Sequence, residues 1–521
     1  MSKLLLPVLW LLRKRLLLVP LVVIAGFLLL RQSSPTLSRR CSRDQLFLAT
    51  RGSDTEPGAV ILDHTGELVW RQPRMAAEVH DFRVQEYKGE RFLTFWAGAP
   101  DGGGKQGFWY MMDDAYTIRH NISAPGFDFG DMHEFELTAN GTALVTIYNP
   151  IPADLSAVGG AAQGYILDGV FQEIDLETGK VLFKWSASDH IPLKTSRKPM
   201  KGCSDDPKKA FLGCGNTPDA AFDYYHINSI QKDPKGNYLI SGRHTSSLTY
   251  INGTTGKPIW HMGGDMNQFD IVPRGTRVLF AWQHHARLHD DDTITLLDNN
   301  AYDPKATRTE SRGIRLNADF AAMNVTLQTA YRHPQSIMAF SQGNAQVLDS
   351  GNVLVGWGSS AAFTEFSADG EVLCDARFAP AALFSFQPLS SYRAYRGTWV
   401  GKPLDAPRIA VTGRKIYVSW NGATEVASWR LQGRLPDSAE DDFEDVAEIP
   451  KERFESEFPA ANLTRTRWSL LIGAIDLLVV AAVGGIVVGC VLLVAGVVRC
   501  KRRWGRKSLT GYKPLEMDDL S

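Results

Sequence analysis

The chain has 521 residues, a formal net charge of −1 and 44% hydrophobic residues. This describes an ordinary globular body and excludes a nucleic-acid binder, which needs a clustered basic excess. The first element is an apolar run, residues 16–30, directly after Arg13, Lys14 and Arg15. A basic cluster before a short apolar run suits a signal-peptide core or signal anchor. Arg31 and Gln32 interrupt any small-residue cleavage site, which favours an uncleaved anchor within residues 1–40.

From 41 to 433 helical periodicity is scarce. Short β-rich runs bounded by Gly, Asp and Asn dominate, at 91–96, 143–148, 237–241, 293–297, 352–357 and 415–420. Turn signals precede several of them, as in Asp233-Pro234-Lys235-Gly236 and Asp349-Ser350-Gly351. A polar hairpin ending in Trp recurs: from Leu62 through Gly66 to Trp70, from Ile174 through Gly179 to Trp185, and from Ile251 through Gly256 to Trp260. A degenerate copy runs from Phe366 to Val372. Such a repeated strand–turn–strand–strand–hairpin unit predicts an all-β fold, a β-propeller. Candidate innermost strands begin near His80, His133, His226, His284, Gln342 and Tyr392. That number predicts six blades, with the first and last segments interlocking to close the ring.

Residues 434–468 begin rich in Asp and Glu and predict a solvated stalk. A transmembrane helix is expected within 469–498, where 477–498 carries no charge. Arg499, Lys501, Arg502 and Arg503 open the tail, 499–521, and place it in the cytosol. The N-terminal basic cluster belongs on the same side. The body is then lumenal or extracellular, on a membrane of the secretory pathway: endoplasmic reticulum, Golgi, vacuole or plasma membrane. Gly485 and Gly489 form a G-x-x-x-G that permits a homodimer through this helix. Five glycosylation sequons, at Asn121, Asn140, Asn252, Asn324 and Asn462, all lie between the apolar segments. Cys41, Cys203, Cys214 and Cys374 predict two disulfides, Cys203–Cys214 being the favoured pair.

Four of the six innermost strands begin on a histidine: His80, His133, His226 and His284. A lone histidine is usually structural, and that reading holds for His64, His190, His261 and His289. Four at one repeat position would meet around a propeller axis. Arg243 and Arg287 add permanent cations. Asn228, two residues from His226 on the same strand face, adds a neutral donor. Imidazole, guanidinium and carboxamide together suit a tetrahedral oxyanion.

At these residues the sequence resembles the arylsulfate sulfotransferase family, most closely its fungal, membrane-associated branch. The resemblance is carried by 222–260, 283–299, 341–358 with Ser341-Gln342-Gly343-Asn344, and 417–426 with Tyr417-Val418-Ser419-Trp420-Asn421-Gly422. It covers roughly residues 45–430. It implies transfer of a sulfuryl group from a phenolic sulfate donor to a phenolic acceptor through a sulfo-histidine, without a nucleotide or other cofactor. By motif position His284 resembles the nucleophile, His226 and Asn228 the H-x-N pair, Arg243 the sulfate-binding arginine and His133 a further channel histidine. If the strand register slips by one residue, His285 takes the place of His284. Two other readings compete: a four-histidine, metal-dependent oxygenase-type propeller, and a non-catalytic lumenal binding or scaffold module.

Overall fold

The computed structural model describes residues 40–52, 58–73, 78–99, 106–200, 213–272, 279–300, 310–378, 389–413, 415–433 and 443–458. The expected N-terminal anchor, the membrane helix, the basic tail, Cys203 and Asn462 lie outside these. Among the described residues no helix is long and apolar enough to cross a membrane. Secondary structure there is almost wholly β, with a few single-turn 3-10 helices. The chain divides into two compact units, the first running to Leu404 and including Asn421–Glu425.

Among the described residues the first unit holds six sheets in chain order. Sheet two is Glu78–Tyr87, Glu90–Ala99, Gln106–Met112 and Ile118–Ile122, each strand antiparallel to the next. Sheets three, four, five and six repeat this meander, led by Phe135–Leu137, Ile227–Lys232, His284–Leu288 and Asn344–Val347. Sheet five also carries Asp270–Val272, parallel on its outer edge. Sheet one is composite. Its leading strand, Leu389–Gly397, comes late in the chain and pairs antiparallel with Gln45–Gly52, followed by Gly58–Leu62 and Leu68–Arg71.

Local chemistry explains the repeat. The predicted hairpin joins the last two strands of sheets one, three, four and six. It turns on Gly66, Gly179, Gly256 and Gly370, whose φ angles of +87°, +68°, +73° and +90° suit a residue without Cβ. Trp70, Trp185 and Trp260, which end the three full copies, are buried. Each sheet packs both faces, so middle strands such as Glu90–Ala99, Tyr238–Gly242 and Thr293–Asp298 are almost continuously buried. Phe47 and Ile61 of sheet one meet Leu93 and Phe95 of sheet two. The same sharing joins each later pair, and Leu46 and Leu48 close the series against Leu354 and Phe363 of sheet six. The arrangement is propeller-like.

A disulfide joins Cys41 to Cys374 on the outer strand of sheet six, with 5.6 Å between Cα atoms. Cys214 is also disulfide-bonded.

The second unit is built from Arg408–Thr412, Lys415–Ser419 and Glu455–Phe458, and from Ser428–Gly433 paired with Glu444–Pro450. Its core includes Val418, Trp429 and Phe458. Two sequence expectations differ here. The run at 415–420 belongs to this unit and not to the propeller-like one, and part of the expected stalk is folded as strands. Ala447 and Ile449 pack on that core while Glu448 between them stays exposed. This alternation is hidden within an acidic composition.

Candidate functional site

The six leading strands converge, and several are kinked where they do so. Register shifts fall between His80 and Arg83, between Ile227 and Ser229, and between His284 and Arg287. Asp81, His226, His285 and Gln342 have left-handed backbones, with φ from +53° to +68°. Bulges of this kind re-aim side chains that regular pleating would send into the sheet faces.

Three imidazoles stand in a row: ring centroids are 4.7 Å apart for His133 and His226, and 4.5 Å for His226 and His244. Each is held through Nδ1. His133 Nδ1 is 2.6 Å from Asp131 Oδ1, which also accepts from the His133 N–H and the Thr146 hydroxyl. His226 Nδ1 is 2.5 Å from Asp223 Oδ2, and His244 Nδ1 donates to the Asp223 carbonyl at 2.6 Å. His284 Nδ1 is 2.6 Å from Asn299 Oδ1. The Asn299 amide orientation is fixed, because its Nδ2 donates to the carbonyls of Ala339 and Gln342. An acceptor on every Nδ1 puts the proton there and leaves the lone pair on Nε2.

Arg243 links the group. It donates to His244 Nε2 at 2.9 Å and to the Phe340 carbonyl at 3.1 Å, and its guanidinium lies 4.5 Å from the Trp282 ring centroid. Burial, with the Arg243 charge second, pushes His284 well below the ordinary imidazole value. Burial lowers His226 to about 4 against the pull of Asp223. Against the cost of its own burial, Asp223 is held well below the usual carboxylate range by His226 and His244. The result is a buried set of imidazoles, with those of His226, His244 and His284 held neutral, beside a permanent cation, an arrangement suited to binding a tetrahedral monoanion and exchanging a group on nitrogen.

All five sequence-named site residues lie in this region, though not equally. His133, His226, His284 and Arg243 act on one another electrostatically. Asn228 is fully buried and donates to the carbonyl of Gln283, next to His284. His80 stands farther off, across Tyr392, whose ring centroid is 5.8 Å from His80 and 5.6 Å from His133. Arg287 is not part of the group. It pairs with Glu134 and Glu136, in a buried ionic network that also holds Arg83, Arg393 and Asp81. His285 packs toward that network, its ring 5.8 Å from Tyr395, so the two adjacent histidines serve different environments.

Sequence reasoning missed His244, Asp131, Asp223 and Asn299. A carboxylate two residues before His133 and three before His226 was the available signal. The four repeat-position histidines also do not form a common ligand cage. Among the described residues Asp223, His226 and His244 do have mutually close ligand atoms, all within 4.8 Å, but Arg243 already donates to His244 Nε2.

Fold and site together define an all-β, propeller-like protein with a histidine-rich, anion-suited centre. The family model for arylsulfotransferases (ASST) matches residues 83–379, and the chain belongs to that family. No curated protein matches. Among solved structures, a Bacteroides caccae protein of unknown function is 13% identical, covers 68% of this chain and 98% of its own, and has a TM-score of 0.39. A Pseudomonas aeruginosa periplasmic gluconolactonase is 11% identical over 65% and 97%, with a TM-score of 0.33. Virginiamycin B lyase from Staphylococcus aureus is 9% identical over 73% and 86%, with a TM-score of 0.28. Likeness at that level speaks to neither substrate nor mechanism.

Proposed function

We propose that the chain is a membrane-anchored aryl sulfotransferase of six blades. It moves a sulfuryl group from a phenolic sulfate to a phenol through a sulfo-histidine, on the lumenal or extracellular face of a secretory-pathway membrane. The six-bladed reading is supported by the six shared apolar cores and by the composite first sheet. The chemistry rests on one observation: Asn299 holds the proton of His284 on Nδ1 near Arg243, so the lone pair is on Nε2, which accepts the Gln342 N–H at 3.2 Å until the sulfate donor displaces that contact and Nε2 acts as the nucleophile.

Nε2 of His284 attacks sulfur, the sulfur–aryl oxygen bond breaks, and the aryl oxygen leaves with the electron pair. Arg243 neutralises the equatorial sulfuryl oxygens, with Asn228 as a neutral donor. His226 or His133 protonates the leaving oxygen, and a bound sulfate monoanion favours the imidazolium that this requires. The acceptor phenol then returns a proton to the same imidazole as its oxygen attacks sulfur and the nitrogen–sulfur bond breaks. Charge builds and disperses on oxygen as in phosphoryl transfer, so positioning and electrostatics carry the rate. Arg243 beside His244 speaks against a dication in this position.

The test uses the full chain in detergent with 4-nitrophenyl sulfate and phenol. Nitrophenol release should require the acceptor, follow ping-pong kinetics and vanish in His284→Ala. A folded wild-type chain that releases no nitrophenol, or an unaffected His284→Ala variant, would sink the reading. The first outcome would return the chain to the binding-module alternative.

A further inference from the structure

We propose that Arg51, Gln342 and Tyr392 form a second anion-binding wall, whose Tyr392 hydroxyl and Arg51 guanidinium donate to the oxygens of the sulfuryl group. This deepens the sulfuryl-transfer reading and rests on it. Arg51 and Tyr392 lie outside the family match at 83–379. They are supplied by the two chain segments that pair to form sheet one, in which Arg51 opposes Ser390.

Three observations carry the inference. The first is connectivity to the reactive nitrogen. The Gln342 N–H donates to His284 Nε2 at 3.2 Å, and Arg51 Nη2 donates to the Gln342 side-chain oxygen at 2.7 Å. One residue therefore separates a guanidinium from the nucleophile. The second is the Tyr392 hydroxyl. The residue is wholly buried, yet this hydroxyl has no hydrogen-bond partner among the described residues, and neither has Arg51 Nε. Buried donors are normally satisfied, and one left open in a site invites a ligand acceptor. The third is position. The Tyr392 ring lies 5.6 Å from His133, which heads the row of imidazoles, and the Arg393 guanidinium lies 5.0 Å from its centroid.

The chemistry selects an oxyanion. Arginine only donates, and burial keeps the Tyr392 phenol far above its ordinary value, so it too stays protonated and donates. Glu78 is the ion-pair partner of Arg51 at 3.6 Å, and His80 Nε2 and the Ser390 hydroxyl each lie 3.4 Å from the Arg51 Nη atoms, so Nε is the donor left for a ligand. Arg243 supplies one set of donors and this wall another. Together they offer a tetrahedral oxyanion more donors than a single arginine carries.

The test reads binding and turnover separately. Calorimetry with inorganic sulfate on the full-length chain should give an affinity that falls about tenfold in Tyr392→Phe and in Arg51→Gln, the scale of a lost charge-assisted hydrogen bond. For 4-nitrophenyl sulfate, kcat/KM should fall by about 10- to 100-fold in both variants, with an unchanged melting temperature in Tyr392→Phe. Wild-type sulfate affinity and kcat/KM in Tyr392→Phe would overturn the wall. If Arg51→Gln does not fold, Tyr392→Phe alone decides. If the wild type binds sulfate but transfers nothing, the sulfotransferase reading fails; loss of that binding in Tyr392→Phe would still support the wall. No sulfate binding by the wild type overturns it.

Discussion

His284 Nδ1 sits 2.6 Å from Asn299 Oδ1, and the Asn299 amide is itself pinned by two carbonyls. A carboxamide in that place fixes the tautomer without adding charge, so the ring remains neutral. Asn299→Leu removes the acceptor, and kcat should fall by roughly 10- to 100-fold, as for lost orienting partners generally. Asn299→Asp keeps an acceptor but adds a negative charge, which raises the His284 value. The acid limb of its pH–rate profile should therefore move to higher pH than in the wild type. An unmoved limb in Asn299→Asp would remove Asn299 from the mechanism.

Four buried histidines set an acid limit on stability. Burial holds His226 at about 4 and His244, His284 and His285 well below the ordinary imidazole value. Their folded values lie below that of the unfolded chain, near 6.5. The unfolded state therefore binds protons first as pH falls. The stability is complete above about 6.5 and is lost as pH falls toward the folded values, at up to roughly 1.4 kcal/mol per pH unit for each histidine. Thermal unfolding of the full chain should show a lower melting temperature at pH 5 than at pH 7.5. A flat or inverted dependence across that window would contradict the burial assignment.

The glycine-centred hairpins and leading-strand histidines made much of the fold legible in the sequence, because both are local patterns repeated at loose spacing. The site was legible in part for the same reason. His133, His226 and His284 each sit at a repeat position. Asn299 does not, since it reaches His284 from just beyond the neighbouring strand Thr293–Asp298 and only the folded register brings them together. Arg51 is hidden more deeply, because it arrives through the pairing of two segments over 300 residues apart. Arg287 misled for the opposite reason. Its charge was visible, but the carboxylates that claim it, Glu134 and Glu136, lie more than 150 residues away.

Glu134 is the anchor of that ionic network. Fully buried, it faces Arg287 at 2.8 Å, Arg393 at 2.9 Å and Arg83 at 3.2 Å. Although burial pushes the other way, these cations hold its carboxyl down to about 2. Glu134→Gln leaves Arg83, Arg287 and Arg393 to Asp81 and Glu136, and the cost should approach the roughly 3–5 kcal/mol usual for removing one partner from a buried ionic group. Chemical denaturation should show the midpoint falling at an unchanged slope. A loss below about 1 kcal/mol would mean that water, not Glu134, satisfies the cluster.

The Cys41–Cys374 disulfide secures the entry of the chain into sheet one from outside. It spans 333 residues, and removing a native disulfide typically costs about 2–5 kcal/mol. Beside it, Glu365 is fully buried and accepts from the Ser42 N–H at 2.9 Å and from Arg396 Nε at 3.1 Å. Bond and carboxylate thus hold the same few residues against sheet six. Cys41→Ser with Cys374→Ser should lower the melting temperature, and so should Glu365→Gln. Combined, the three substitutions should cost less than the sum, because once the segment is loose its second tether has little left to hold. Strict additivity of the melting shifts would show that the two contacts secure the first strand independently.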